Sequence, residues 1–188
     1  MKTKIALLAI ALITVFSTTA FKPAAEKEIN WVTVEEAVRL AEKKPRKILI
    51  DVYTNWCGPC KRMNAMTFKD PYIVDYVNKH YYAVKFNAEG NDTVEFRGKV
   101  YVNKSFNPDK VNTRNGTHEF TMAVAPVNGR IAYPTIVYMD AELNVLQPVQ
   151  GMIGPEQFEP ILAFFAEDAY KDTEWPTFQA NFESKRDN

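Results

Sequence analysis

Cysteine, histidine and glycine are scarce in this 188-residue chain, at two, two and seven residues. So few soft ligands exclude a zinc site of the four-cysteine kind, and two cysteines cannot build the disulfide framework of a small stapled domain. The glycines form no phosphate-cradling loop, so nothing supports nucleotide binding. Charge of one sign is also lacking: 23 Lys and Arg face 23 Asp and Glu, a formal net of zero, which excludes the clustered basic surface of a nucleic-acid binder. No apolar run reaches the roughly 20 residues of a membrane-spanning helix. What is present is 46% hydrophobic and 13% aromatic residues. At roughly 100–200 residues per domain, that is material for one domain with a sizeable core, in an α/β or α+β arrangement.

The N-terminus reads separately from the rest. Lys2 and Lys4 precede an apolar run from Ile5 to Ile13, extended by Val15 and Phe16, and the small residues Ser17-Thr18-Thr19-Ala20 follow. A basic start, a short apolar stretch and a small-residue exit describe a secretory signal peptide over 1–20, cleaved after Ala20. A retained anchor and a buried core helix are the other readings of the run. No cysteine lies near the cleavage point to carry a lipid. Without Lys2 and Lys4 the net charge becomes −2, and export places the cysteines in an oxidising compartment.

Beyond it, residues 21–31 form a polar leader with little periodic signal. Thr33-Val34-Glu35-Glu36 is a capping box for an amphipathic helix reaching about Lys44, which Pro45 ends. Lys47–Tyr53 is a nearly continuous apolar strand, as expected for burial on both faces. A helix is expected from Cys57–Pro59 to about Met66, with Met63 and Met66 in the core. Asp70-Pro71 caps and starts another helix, and Tyr81–Phe86 forms a strand. Residues 89–116 are polar and rich in turns and read as an insertion, with a short alternating run near Val100–Val102 suited to a hairpin. A helix over 117–125, strands at Thr135–Met139 and Asn144–Val149, and a long helix over Glu156–Tyr170 complete a domain spanning 32–171. The C-terminal extension, 172–188, has a short helix using Trp175, Phe178 and Phe182. Strands spaced by crossover helices indicate an α/β layer fold.

Both cysteines fall in Trp56-Cys57-Gly58-Pro59-Cys60-Lys61. Three residues apart on one helical face, they can close a small disulfide and reopen it. The pair follows a buried strand and opens a helix, where unpaired amides and the positive end of the helix dipole favour a Cys57 thiolate, the attacking species. Cys60, one turn in, is expected to be the more shielded, resolving thiol. Gly58 lets a partner chain approach, and Pro59 sits in the first turn, where its missing N–H costs nothing. A structural disulfide is the weaker reading, because so short a loop removes little entropy from the unfolded chain. A metal site would have only His80 and His118 to draw on. Three triplets of the Asn-x-Ser/Thr type, beginning at Asn91, Asn103 and Asn115, would matter only in a eukaryotic secretory route.

Ile48-Leu49-Ile50-Asp51 followed by Trp56-Cys57-Gly58-Pro59-Cys60-Lys61 resembles the active site of the thioredoxin superfamily. The resemblance implies a thioredoxin-like fold, a central mixed β-sheet flanked by helices, with the insertion lying before the cis-proline strand. It further implies that Asp51 is the buried acid that takes a proton while Cys60 ionises, that Lys85 faces it, and that Tyr133-Pro134 is the cis-proline segment lying against the cysteines. Gly151 resembles the glycine beside the same peptide groove, to which Trp56, Gly58, Pro59 and Tyr133 would also contribute. On the residues alone, Asp51 also reads as a strand-end acid and Lys85 as a surface lysine. Tyr133 departs from the smaller aliphatic residue usual in thioredoxin, and Tyr53 stands where thioredoxin tends to have Trp. The Thr67-Phe68-Lys69-Asp70-Pro71 break resembles the C-terminal periplasmic domain of transmembrane thiol:disulfide interchange reductases and exported thioredoxin-like proteins of bacteria.

The expected function is therefore an exported thiol:disulfide oxidoreductase of the bacterial periplasm, reducing substrate disulfides through Cys57 and Cys60. Its partners would be disulfide-containing or dithiol proteins, with a membrane thiol reductase as electron donor. It would act as a monomer without cofactor or metal. A disulfide oxidase or isomerase, and a binding or folding-helper module that grips a partner through 89–116, are the alternatives. Expression in an export-competent bacterium is expected to yield a mature chain starting at Phe21 by intact mass, whereas a chain retaining residues 1–20 in the membrane fraction would mark an anchor.

Overall fold

The computed structural model of the chain describes residues 27–186, so the apolar run and its cleavage point lie outside the described residues. Strand β1 is Trp31–Val32, β2 is Lys47–Tyr53, β3 is Tyr81–Asn87, β6 is Thr135–Met139 and β7 is Val145–Gln150. They form one mixed sheet in the order β1-β3-β2-β6-β7, with β1 and β2 parallel to β3 and with β6 antiparallel to both β2 and β7. The helices are α1 (Val34–Lys43), α2 (Gly58–Met66), α3 (Pro71–His80), α4 (Glu119–Val124), α5 (Pro155–Ala166) and α6 (Trp175–Ala180). The expected α/β layer architecture is thus present.

Period-2 alternation on β2 divides the core in two. Ile48, Ile50 and Val52 pack with Ala37 and Ala41 of α1 and Phe120 of α4, while Leu49 packs with Met63 of α2, Ile73 and Val77 of α3, and Phe158 and Leu162 of α5. Asp51, two residues after Leu49, therefore points to the α2–α3 side. Helix starts follow local chemistry. Thr33 Oγ1 accepts from the Glu36 N–H at 3.2 Å, and Asp70 Oδ1 accepts from the Ile73 N–H at 3.1 Å. Only half of the capping box forms, because the Glu36 carboxylate accepts from Arg39 instead of reaching back.

Three expectations differ from the structure. The leader is not featureless to residue 31: Ile29 is buried and Trp31–Val32 pairs with Ala83–Val84 at the sheet edge. A two-residue strand is too short to show a period, so its signal came only from its partner. Met66 is 56% exposed while Met63 is fully buried; helix α2 gives way to a 3₁₀ turn at Thr67–Lys69, which leaves Met66 outside the packed face. Helix α5 ends at Ala166 rather than Tyr170, with Asp168 in a left-handed conformation (φ 61°) before a 3₁₀ turn at Ala169–Lys171. The C-terminal extension carries the expected short helix and packs on the domain: Trp175 and Phe178 meet Phe164 at 5.3 and 5.1 Å between ring centroids. Farther on, Arg186 donates to both Asp70 oxygens, and buried Glu159 accepts from Ser184 Oγ and the Lys185 N–H.

The insertion does contain a hairpin, β4 (Val94–Phe96) and β5 (Lys99–Tyr101), turned by Arg97 and Gly98, both at positive φ. Two consecutive residues of that conformation match the right-handed twist of the flanking strands. Phe96 and Tyr101 close on Phe120 edge-to-face, at 5.4 and 5.7 Å, so the hairpin caps the α1–α4 side of the core. Met63→Ala is expected to cost about 2–5 kcal/mol in urea unfolding and Met66→Ala less than about 0.5 kcal/mol; equal losses would contradict this placement.

Candidate active site

Strand β2 ends at Tyr53, and four residues later Cys57 caps α2. Its Sγ accepts from the Cys60 N–H at 3.1 Å, and its own N–H donates to the Thr54 carbonyl at 3.2 Å. Cys57 and Cys60 are joined as a disulfide, with Cα atoms 5.3 Å apart. Gly58 and Pro59 occupy the first turn and are exposed, and a methyl group at Gly58 would meet nothing within 4 Å. The helix thus begins at an open surface. Both sulfurs are covered, Cys57 at 2% and Cys60 at 6% exposure, which corrects the expectation that Cys60 is the more shielded of the two.

Beneath the pair, Asp51 is 3% exposed. Register sets it between Lys85 on β3 and Ile136 on β6. Lys85 Nζ lies 3.9 Å from the Asp51 carboxylate and donates to Asn64 Oδ1 on α2. Its ammonium also sits over the rings of Trp31 and Tyr53, at 5.2 and 5.5 Å. Burial pushes the Asp51 carboxyl up to about 7, and the attraction of Lys85 opposes this only in part. The same burial lowers Lys85. A cavity of about 260 Å³ is lined by Asp51, Thr54, Cys60, Asn64 and Lys85, among others. It is large enough for water and brings the acid and the second cysteine to one space.

On the other side of Cys57, Trp56 meets Tyr133 edge-to-face at 6.0 Å. The Tyr133–Pro134 peptide bond is cis. Tyr133 lies just before β6, and its backbone N–H and carbonyl make no hydrogen bond among the described residues. Gly151, at φ +106°, donates its N–H to the Pro134 carbonyl at 2.8 Å. Its glycine is required by that backbone conformation, in addition to the open space above it. The structure therefore brings all ten expected site residues to one end of the sheet: Cys57, Gly58, Pro59 and Cys60 at the start of α2, Asp51 and Lys85 beneath it, and Trp56, Tyr133, Pro134 and Gly151 beside it.

Several neighbours had no local signal. Glu89 Oε2 accepts from Trp56 Nε1 at 2.7 Å and from the Asn115 N–H at 2.8 Å. Asn55 Nδ2 donates to the Val111 carbonyl at 2.9 Å. Arg114 stacks over the Trp56 ring at 5.0 Å. The insertion is thus tied to the active-site turn at three points. Asn64 belongs with them, as the acceptor for Lys85.

With fold and geometry in place, the comparison with known proteins is direct. Residues 34–166 match the thioredoxin-like domain family. The chain belongs to that family. It shares 34% identity over 79 residues with the thiol:disulfide interchange protein DsbD of Citrobacter koseri, covering 37% of this chain and 14% of that one. With DsbD of Ralstonia nicotianae it shares 46% over 37 residues, covering 20% and 6%. The chain therefore matches only a small part of either relative. Among solved structures, the oxidoreductase DsbH superposes with a TM-score of 0.53 at 14% identity, covering 84% of this chain and 95% of that one. A thioredoxin-fold protein from Helicobacter pylori gives 0.52 at 18% identity, covering 72% and 81%. These likenesses establish the fold. Together with the Cys57–Cys60 pair at the strand-to-helix junction, family membership makes this a protein of the thiol:disulfide oxidoreductase type.

Asp51 supplies a prediction with a definite sign. Its folded pKa of about 7 lies above the ordinary 3.8. Between those values the folded protein holds a proton that the unfolded chain has lost, so stability falls as pH rises through that window. Relative to Asp51→Asn, the wild type is expected to lose roughly 2–4 kcal/mol of unfolding free energy between pH 4 and pH 8. Parallel pH profiles for the two proteins would contradict a raised Asp51.

Proposed function

We propose that this chain is an exported bacterial thioredoxin-like reductase that passes electrons from a membrane thiol reductase to disulfide-bonded proteins in the periplasm, as a monomer and without cofactor. The observation that carries the reading is the placement of a raised, buried acid and Cys60 on one cavity, under a Cys57 that caps a helix. When the pair is reduced, the Cys60 N–H and the helix N-terminus favour the Cys57 thiolate. That thiolate attacks one sulfur of a substrate disulfide; a Cys57–substrate disulfide forms, and the departing substrate thiolate takes a proton. Cys60 then gives its proton to the Asp51 carboxylate through the cavity and attacks the Cys57 sulfur, expelling the second substrate thiolate, which is protonated as Asp51 releases that proton. Two electrons and two protons move to the substrate, and the protein is left with the Cys57–Cys60 disulfide.

Lys85 is the positioning group for Asp51 in this scheme. Its charge keeps the acid within reach of neutral pH, so that Asp51 is partly ionised and ready to accept. The Tyr133 backbone, unpaired before β6, offers a donor and an acceptor to an extended substrate segment. The Gly-Pro linker favours the reducing direction. Similarity to part of two interchange proteins, and the basic, apolar and small-residue pattern over 1–20, support a periplasmic setting; among the described residues no helix is long and apolar enough to cross a membrane.

Cys60→Ser is expected to accumulate mixed disulfides through Cys57, visible on non-reducing gels and abolished in Cys57→Ser. The reduction potential of the pair is expected near that of thioredoxin, about −270 mV. A value near the roughly −120 mV of the strong periplasmic oxidant would overturn the reducing direction.

A further inference from the structure

We propose that the loop over 103–117 is one wall of the substrate groove, and that Arg114 on it selects disulfides flanked by acidic residues. The proposal rests on the exchange at Cys57 described above and names its substrate class. Its ground is a second cavity, of about 350 Å³, beside Trp56, the residue before Cys57, and separate from the one that holds Asp51. It is lined by Trp56, Glu89, Arg114, Thr117, Ile131, Ala132 and Tyr133. Trp56 brings in the active-site turn, and Ile131, Ala132 and Tyr133 bring in the segment leading to the cis-proline. Glu89 and Arg114 come from the insertion, and Thr117 follows it.

This wall is built to hold its position. Asn103, 7% exposed, donates to the carbonyls of Gly90 and Gly116, at 2.9 and 2.6 Å, and so joins the two ends of the insertion. Asn107 and Asn115 exchange a reciprocal pair, each N–H to the other's oxygen at 2.8 Å. Gly116 lies so close to Ser105 that an added methyl group would stand 2.5 Å from its carbonyl oxygen. These contacts make the glycosylation-like triplets at Asn103 and Asn115 structural. They deliver Asn115 to Glu89 and leave Arg114, one residue earlier, over the Trp56 ring.

Charge decides what the groove prefers. Glu89 is the acid in its lining, but the carboxylate is 9% exposed and one of its oxygens accepts from both Trp56 and Asn115. Arg114 is exposed and makes no ion pair among the described residues. On the same loop Lys104 pairs with Glu119, and Asp109 and Lys110 are adjacent charges of opposite sign. Arg114 is therefore the loop's uncompensated charge. Arg130, next in the chain to the lining Ile131, is likewise exposed and without an ion pair among the described residues. A peptide laid along the Tyr133 backbone with its disulfide at Cys57 passes Arg114, where Asp or Glu is attracted and Lys or Arg repelled. Stacked on Trp56, the guanidinium keeps its donors free at the edge of the ring for a carboxylate.

Two disulfide-bonded peptides identical but for Glu or Lys on either side of each cysteine test this. Exchange rates are measured by stopped-flow Trp fluorescence, with reduced protein against oxidised peptide and with oxidised protein against the reduced peptide. For the wild type at low salt, the Glu peptide is expected to react about fivefold faster, and the ratio to fall toward one in 1 M NaCl, where screening is nearly complete. Arg114→Glu is expected to bring the ratio to one or below, and Arg114→Lys to retain most of it. Because the ratio is the readout, any change in rate common to both peptides cancels. A wild-type ratio of one, or an unchanged ratio in Arg114→Glu, overturns the proposal. Since the preference is read in both directions of exchange, an oxidising potential would remove the reducing reading of the protein while leaving the charge test decisive.

Discussion

Strand β2 is packed on both faces, and this double burial governs the placement of every group in the active site. Ile48, Ile50 and Val52 fill one core and Leu49 the other. A one-residue slip would exchange the two sets, which pins the register with β3 and β6. Pinned register sets Asp51 opposite Lys85 and Ile136. The end of the strand then delivers Cys57 to the start of α2. The carboxylate on this strand is the cost of the arrangement and also its use. Deep in the sheet, its charged form is poorly solvated, so its affinity for a proton rises into the range where a thiol can hand one over.

Around this centre the protein is divided by task. The α2–α3–α5 side contains the acid, its lysine and the cavity shared with Cys60. The opposite side of Cys57 holds Trp56, the cis-proline segment and a polar wall. The insertion serves both core and surface: its hairpin seals the α1–α4 layer through Phe96 and Tyr101, and its second half reaches the active-site turn through Glu89, Asn55 and Arg114. The acid and the wall thus stand on different elements of the fold.

Much of this could be read from the residues because its causes are local. Thr33, Asp70-Pro71 and Gly154-Pro155 start helices through contacts within one turn. The seven-residue apolar run of β2 reports its own burial. Cys57, Cys60, Asp51 and Pro134 stand out because their spacing matches a known pattern. Where a contact closes over a long sequence distance, the signal disappears. Trp31–Val32 is a strand only because β3 lies beside it. Met66 has the same helical spacing as a core residue but lies where α2 gives way to a tighter turn. Asp168 ends α5 by a left-handed residue that no proline or glycine announces.

The sequence by itself determined the dithiol, the strand that precedes it and the helix that carries it, since each depends on neighbours within a few positions, while the acid six residues before Cys57 stood out only by matching a known pattern. Tertiary structure alone decided that Lys85 is shared between Asp51 and Asn64, and that a polar stretch over 89–116 packs against the active-site turn. Those outcomes come from hydrogen bonds and ring contacts between residues 20 to 60 positions apart. Composition cannot encode them, because a Glu, an Asn or an Arg in a turn-rich segment shows no preference for one distant partner until the sheet has brought that partner into reach.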